Sequence, residues 1–104
     1  MQASFESIQP NGVLDGTQAI QFRNNVSDLV NKGTKVILVN LKDVTFMDSS
    51  GLAAIVIALK TVRSVGGRLC ICSINDQVRL LFELTSMTRV FEIFPDQDEF
   101  VKTL

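Results

Sequence analysis

The densest chemistry in this 104-residue chain lies in one segment, Asp48-Ser49-Ser50-Gly51-Leu52, where a carboxylate precedes two hydroxyls and a glycine follows them. Hydroxyls beside a glycine at a helix start form an exposed knob open to covalent modification. A phosphoryl group there would add roughly −1.5 to −2 charges and strong acceptor oxygens. Glycine is a poor choice for a first helical turn, so its expected benefit at position 51 is room for another molecule to approach closely. The plain alternative is that Asp-Ser-Ser only caps a helix, since Asp48 or Ser49 can accept from an unpaired amide one turn in. Residue chemistry alone does not choose between Ser49 and Ser50.

The rest of the composition removes competing chemistries. The chain has no histidine, so no Ser-His-Asp or Cys-His nucleophile can form and imidazole-based zinc sites are excluded. Its two cysteines are Cys70 and Cys72. Spaced by two in an apolar run, they share one face of a strand and read as buried small hydrophobes rather than a metal pair or a disulfide. A phospho-aspartate receiver built on Asp48 would need further carboxylates from the first strand to hold magnesium, and residues 4–14 supply only Glu6. No glycine-rich phosphate loop of the usual spacing appears. The expectation is a chain that is not an enzyme and takes no cofactor or metal.

Ten basic residues against eleven acidic ones leave a net charge of −1, which offers no electrostatic footprint for nucleic acid or an anionic membrane. The start, Met1-Gln2-Ala3-Ser4-Phe5, lacks the basic and apolar regions of a signal peptide. The longest apolar run, 51–59, is far too short to cross a bilayer. A cytoplasmic protein with no direct membrane binding is expected.

The serine segment needs a scaffold, and the apolar periodicity supplies one. Residues 4–9 form a weakly alternating strand, and Asn11-Gly12 before Val13-Leu14 signals a tight turn, so an N-terminal hairpin is predicted. Asp15 or Thr17 caps a first helix carrying Ala19, Ile20, Phe22, Val26, Leu29 and Val30, with Gly33 ending it. The run Val36-Ile37-Leu38-Val39 reads as a strand buried on both faces. A loop then leads to a helix over 49–65, closed by Gly66-Gly67. Leu69-Cys70-Ile71-Cys72 is a second buried strand, and Asn75 or Asp76 caps a third helix. A short strand near 91–94 and a final helix near 96–102 complete the chain. Strand–helix alternation predicts one α/β domain over 1–104, with a mixed, mostly parallel sheet, an N-terminal hairpin and about four helices.

The helix behind the serines is apolar on two sides. Leu52, Ile55, Val56, Leu59 and Val62 make a core stripe, while Ala53, Ala54, Ile57 and Ala58 occupy the other face with no charge until Lys60. A chain of this length has little material left to cover that second face, so it reads as a flat patch for a partner. Asp48, Ser49, Ser50, Gly51, Leu52, Ala54, Ile57 and Ala58 are the partner-binding candidates.

The chain resembles the STAS-domain anti-sigma factor antagonists of bacteria over nearly its whole length. The resemblance runs through Gly12-Val13-Leu14-Asp15, the strand 36–41, Phe46-Met47-Asp48-Ser49-Ser50-Gly51-Leu52, Gly66-Gly67-Arg68-Leu69, the segment 78–85 and Phe91-Glu92-Ile93-Phe94-Pro95. It implies a protein that binds an anti-sigma factor with serine kinase activity while unphosphorylated. It further implies phosphorylation at Ser50, with Ser49 the alternative, and restoration by a PP2C-type phosphatase. Asp48 is implied to orient the hydroxyl or the partner. Two features depart from the pattern: the N-terminal hairpin is short, and Asn40 stands where many relatives carry aspartate. A second role is open to the same fold, as an accessory or scaffold subunit of a transporter or signalling complex without phosphate turnover.

Overall fold

The computed structural model describes residues 4–104, so the first three positions of the expected 1–104 domain lie outside the described residues. Strands β1 (Glu6–Ile8), β3 (Val36–Asn40), β5 (Arg68–Cys72) and β6 (Glu92–Phe94) form one sheet in the order β1-β3-β5-β6, and each neighbouring pair is parallel. Strands β2 (Gly12–Leu14) and β4 (Val44–Met47) pair separately, also in parallel. Four α-helices connect them: α1 (Gly16–Asn31), α2 (Ser49–Ser64), α3 (Asp76–Leu84) and α4 (Gln97–Val101), with a 3₁₀ turn at Met87–Arg89.

Alternation along the central strands divides the core between the two faces of the sheet. Ile37, Val39, Leu69 and Ile71 face the main core, which also contains Phe22, Val26, Ile55, Leu59, Val78 and Phe82. Leu38, Cys70 and Cys72 point the other way, onto Phe100 of α4. Phe5 and Phe94 meet the Phe100 ring edge-on at 5.1 and 5.7 Å, a favourable quadrupole arrangement. Both central strands are thus covered on both sides, as their continuous apolar runs require. Among the described residues no helix is long and apolar enough to cross a membrane.

The cysteines sit on one face as their spacing predicts, and both are buried. Burial first, then the neighbouring Glu92 carboxylate, pushes the Cys70 thiol up to about 12, and burial also raises Cys72. Neither is a thiolate at neutral pH, and the thiolate is the reactive form. Iodoacetamide at pH 8 is therefore expected to leave both unlabelled in the folded chain and to modify both in urea, a contrast that intact mass measures. Glu92 is itself held below the usual carboxylate range, chiefly by a two-point bond from Arg68 at 2.9 and 2.8 Å. Arg68 also lies over the Phe100 ring at 5.6 Å, so its guanidinium is held between Glu92 and that ring.

The N-terminal strands exist, but they do not form a hairpin. Ile8 aligns with Val39 in one sheet, whereas Leu14 aligns with Met47 in the other. Pro10 has no amide to give a hairpin ladder, and the Gly12 amide donates to the Asp43 carbonyl at 2.9 Å. The Asn11-Gly12 turn, with Gly12 at φ +71°, therefore swings the chain onto β4 instead of back onto β1. The stretch before the serines is also more ordered than a loop. Strand β4 is buried only at Val44 and Met47, with Thr45 and Phe46 exposed between them. A register shift beside Gly12/Val13 breaks the period of two, which hides this strand from periodicity.

Candidate functional site

Asp48 follows β4 and caps α2. Its carboxylate accepts from the Gly51 amide at 2.9 Å, and its carbonyl accepts from the Leu52 amide at 3.0 Å. The Asp48 amide in turn donates to the Leu14 carbonyl at 3.4 Å. Asp48 is thus half-buried structural material, with its side chain on the first turn of α2. Ser49 and Ser50 follow as the first two residues of α2, and both are exposed.

A clamp on the other side fixes this junction. The Gln77 side chain accepts from the Met47 amide and donates to the Met47 carbonyl, each at 2.8 Å. Its carboxamide thereby replaces a missing strand neighbour. Asn75 caps α3 through the Val78 amide at 2.9 Å and donates to the carbonyls of Val44 and Thr45 at 3.1 and 3.2 Å. Helix α3 therefore grips β4 one residue before Asp48. Gln77→Ala strands two half-buried backbone groups, and the expected loss is about 2 kcal/mol, read as a lower urea midpoint at unchanged slope.

Gly51 has a different task from the one its position suggests. A Cβ at this residue would lie 2.1 Å from the Leu14 carbonyl oxygen. The molecule that approaches the turn closely is the chain's own strand β2. Ala54 and Ala58 are likewise buried, each 2% exposed, because α1 packs along α2 and covers that face. Gly51, Ala54 and Ala58 have no free surface for a partner. Small side chains there let α1 and β2 come close.

The apolar surface that remains free is narrower and displaced. A shallow groove of about 350 Å³ runs between α2 and the end of α3, lined by Ser49, Leu52, Ala53, Val56, Ile57, Thr85 and Met87. Leu52 forms part of its wall while mostly buried, and Ile57 is 40% exposed. Of the eight partner candidates, the structure brings Ser49, Leu52 and Ile57 together here. Ser50 turns toward the other side, where its Cβ and Oγ lie 3.8 and 3.9 Å from the position of a Cβ on Gly16. A further exposed apolar pair, Val13 and Phe46, sits on the outer face of the β2–β4 ladder. Sequence reasoning misses Val56, Thr85 and Met87 because they read as core or turn residues, and misses Val13 because the β2–β4 pairing is not legible. A larger polar cleft of about 670 Å³ lies between β1, the following turn and α1, and contains none of the serine segment.

A parallel sheet with helices α1–α3 on one face, and a capped helix presenting two serines beyond a short second ladder, has a counterpart among known families. The STAS-domain profile matches residues 6–100. The chain belongs to the STAS-domain family. A Thermotoga neapolitana protein named as a homologue of an anti-sigma factor antagonist is 38% identical to this STAS domain over 88 residues, spanning 84% of the chain and 78% of the relative. The anti-sigma-B factor antagonist of Staphylococcus aureus is 29% identical over 92 residues, spanning 88% and 85%. A Thermotoga maritima crystal structure described as an anti-sigma factor antagonist superposes with a TM-score of 0.87 at 33% identity, covering 93% of this chain and 84% of that one. A SulP transporter STAS domain from Vibrio cholerae and a sulfate transporter family protein from Wolinella succinogenes share the fold at 14% and 16% identity, a likeness of fold alone.

Proposed function

We propose that this STAS domain is an anti-sigma factor antagonist that binds an anti-sigma factor with serine kinase activity and is released by phosphorylation at Ser50. The observation that carries the reading is the exposed serine pair at the start of α2, set on a rigid capped junction and bordered by an apolar groove. Names of the curated relatives support the partner class. The chain acts as the substrate: transfer forms a bond between Ser50 Oγ and the γ-phosphorus of ATP, breaks that phosphorus's bond to the bridging oxygen, releases ADP and sends the hydroxyl proton to solvent. A PP2C-type phosphatase returns the serine by hydrolysis. A cytoplasmic location follows, because its partners control transcription.

The switch is electrostatic and local. At a helix N-terminus the free amides and the macrodipole tolerate the new charge, so the fold need not change. A partner that covers the site must instead strip water from a dianion beside Asp48. The groove next to Ser49 keeps its shape in both states, and binding is lost through the charge.

A competition measurement tests this. The anti-sigma factor of the same genome, bound to its sigma factor, is titrated with the unphosphorylated chain, and displacement of the sigma factor is expected. Absence of binding to any anti-sigma factor overturns the proposal. Stable co-purification with a transporter or a signalling assembly would put the accessory role in its place.

A further inference from the structure

Five of the six glycines in this chain are explained by the backbone. Gly12, Gly33 and Gly66 hold φ at +71°, +89° and +75°, a region that side chains other than glycine's rarely adopt. At Gly51 and Gly67 a Cβ would lie 2.1 Å from the Leu14 carbonyl oxygen and 2.7 Å from that of Lys35, so neither can carry one without a shift. Gly16 is under neither constraint. It opens α1, its φ is not positive, and the nearest atoms to an added Cβ are Ser50 Cβ at 3.8 Å and Ser50 Oγ at 3.9 Å. Those are ordinary contact distances, so alanine would fit, and a helix would gain from it.

The fold does not ask for glycine at this position, and what glycine leaves empty is the space beside the Ser50 hydroxyl. A single methyl group would already touch Oγ. A phosphoryl group extends beyond Oγ by a phosphorus and three oxygens, and a longer side chain at position 16 would compete for the same volume. Ser49 faces the groove of Leu52, Ala53 and Met87 on the opposite side, so the opening is specific to one serine.

We infer that Gly16 is a positioning residue for modification: it holds open the notch between α1 and α2 that a phosphoryl group on Ser50 occupies. The choice of phosphoryl rests on the proposed function, whereas the notch itself rests on the Gly16–Ser50 geometry. Given that modification, the Gly16–Ser50 geometry favours Ser50 over Ser49 as its site.

The test installs phosphoserine at position 50 by amber suppression, in the wild-type chain and in Gly16→Ala and Gly16→Leu, with phosphoserine at position 49 as the control. Without phosphate, Gly16→Ala is expected to melt at or slightly above wild type. Phosphoserine at 50 should shift the wild-type melting temperature by less than about 2 °C and lower that of Gly16→Leu by a further ~4–8 °C. Phosphoserine at 49 should shift all three alike. Equal shifts at position 50 in wild type and Gly16→Leu overturn the inference. Should Gly16→Leu fail to fold, Gly16→Ala carries the same comparison with a smaller expected difference. A kinase arm separates this inference from the function it rests on: phosphate transfer to Gly16→Leu should be at least about tenfold slower, a barrier change of ~1.4 kcal/mol. If no kinase modifies the wild-type chain, the switch reading fails, while the melting comparison still decides the role of Gly16.

Discussion

Replacing Gly51 with alanine is expected to lower the melting temperature by roughly 15 °C, taking ~5 °C per kcal/mol for a domain of this size. The added Cβ would be placed 2.1 Å from the Leu14 carbonyl oxygen, and a backbone atom cannot rotate away. Either α2 tilts from β2 or the β2–β4 ladder opens. Overpacking of this kind costs about 1–3 kcal/mol and more where backbone must move, so ~3 kcal/mol is the expectation. That is a large fraction of the roughly 5–15 kcal/mol that holds a domain together. The damage also reaches the site, because the Asp48 cap and the Gly51 amide form one turn with the serines. Thermal unfolding followed by circular dichroism measures the effect; an unchanged melting temperature would show that β2 does not press on α2. Gly16→Ala is the matched contrast, since the same added methyl meets only ordinary contacts there.

The second large effect is on binding. Ser50→Asp is expected to weaken the anti-sigma factor complex by more than about a hundredfold, whereas Ser50→Ala binds as wild type and cannot be modified. The aspartate places a fixed charge where a partner must exclude water, beside the Asp48 carboxylate. Desolvation and like-charge repulsion together of ~3 kcal/mol suffice for that factor. The fold should be spared, because position 50 is exposed in the first turn of α2, where acidic side chains are favoured. Calorimetric titration of the three forms, alongside their melting curves, separates lost affinity from lost structure. Equal affinity for Ser50→Asp and Ser50→Ala would remove the electrostatic switch.

The helices are legible in the sequence because local groups end them. Asp15, Asp48, Asn75 and Asp96 each accept from amides in the first turn of their helix. Gly33 and Gly66 close α1 and α2, and in both the next residue's amide reaches back to the carbonyl of Leu29 or Val62. Strands β3 and β5 are legible because parallel strands buried on both faces must be continuously apolar. What local pattern cannot supply is pairing. Strands β1 and β2 flank a turn that ordinarily makes a hairpin, yet each finds a parallel partner some thirty residues on. Strand β4, buried only at its two ends and paired across a register shift, is too irregular to announce itself.

The same limit shaped the site. The serine segment stands out by residue type, but whether the face behind it is free depends on where α1 goes. Ala54 and Ala58 look like an exposed patch in sequence and are the contact surface for α1 in the fold. The free groove instead recruits Thr85 and Met87 from the end of α3, residues that carry no pattern of their own. Gly51 and Gly16 show the converse. Gly51 follows the serines in sequence, whereas Gly16 meets Ser50 only in three dimensions, and their roles exchange: Gly51 serves packing, and Gly16 faces the hydroxyl.

Phosphosite mapping by mass spectrometry, after the wild-type chain is incubated with ATP and the anti-sigma factor kinase it binds, tests the central claim most directly. A single added phosphoryl group is expected, located on Ser50 and absent from Ser50→Ala. Phosphate located on Ser49, or undiminished incorporation into Ser50→Ala, would contradict it.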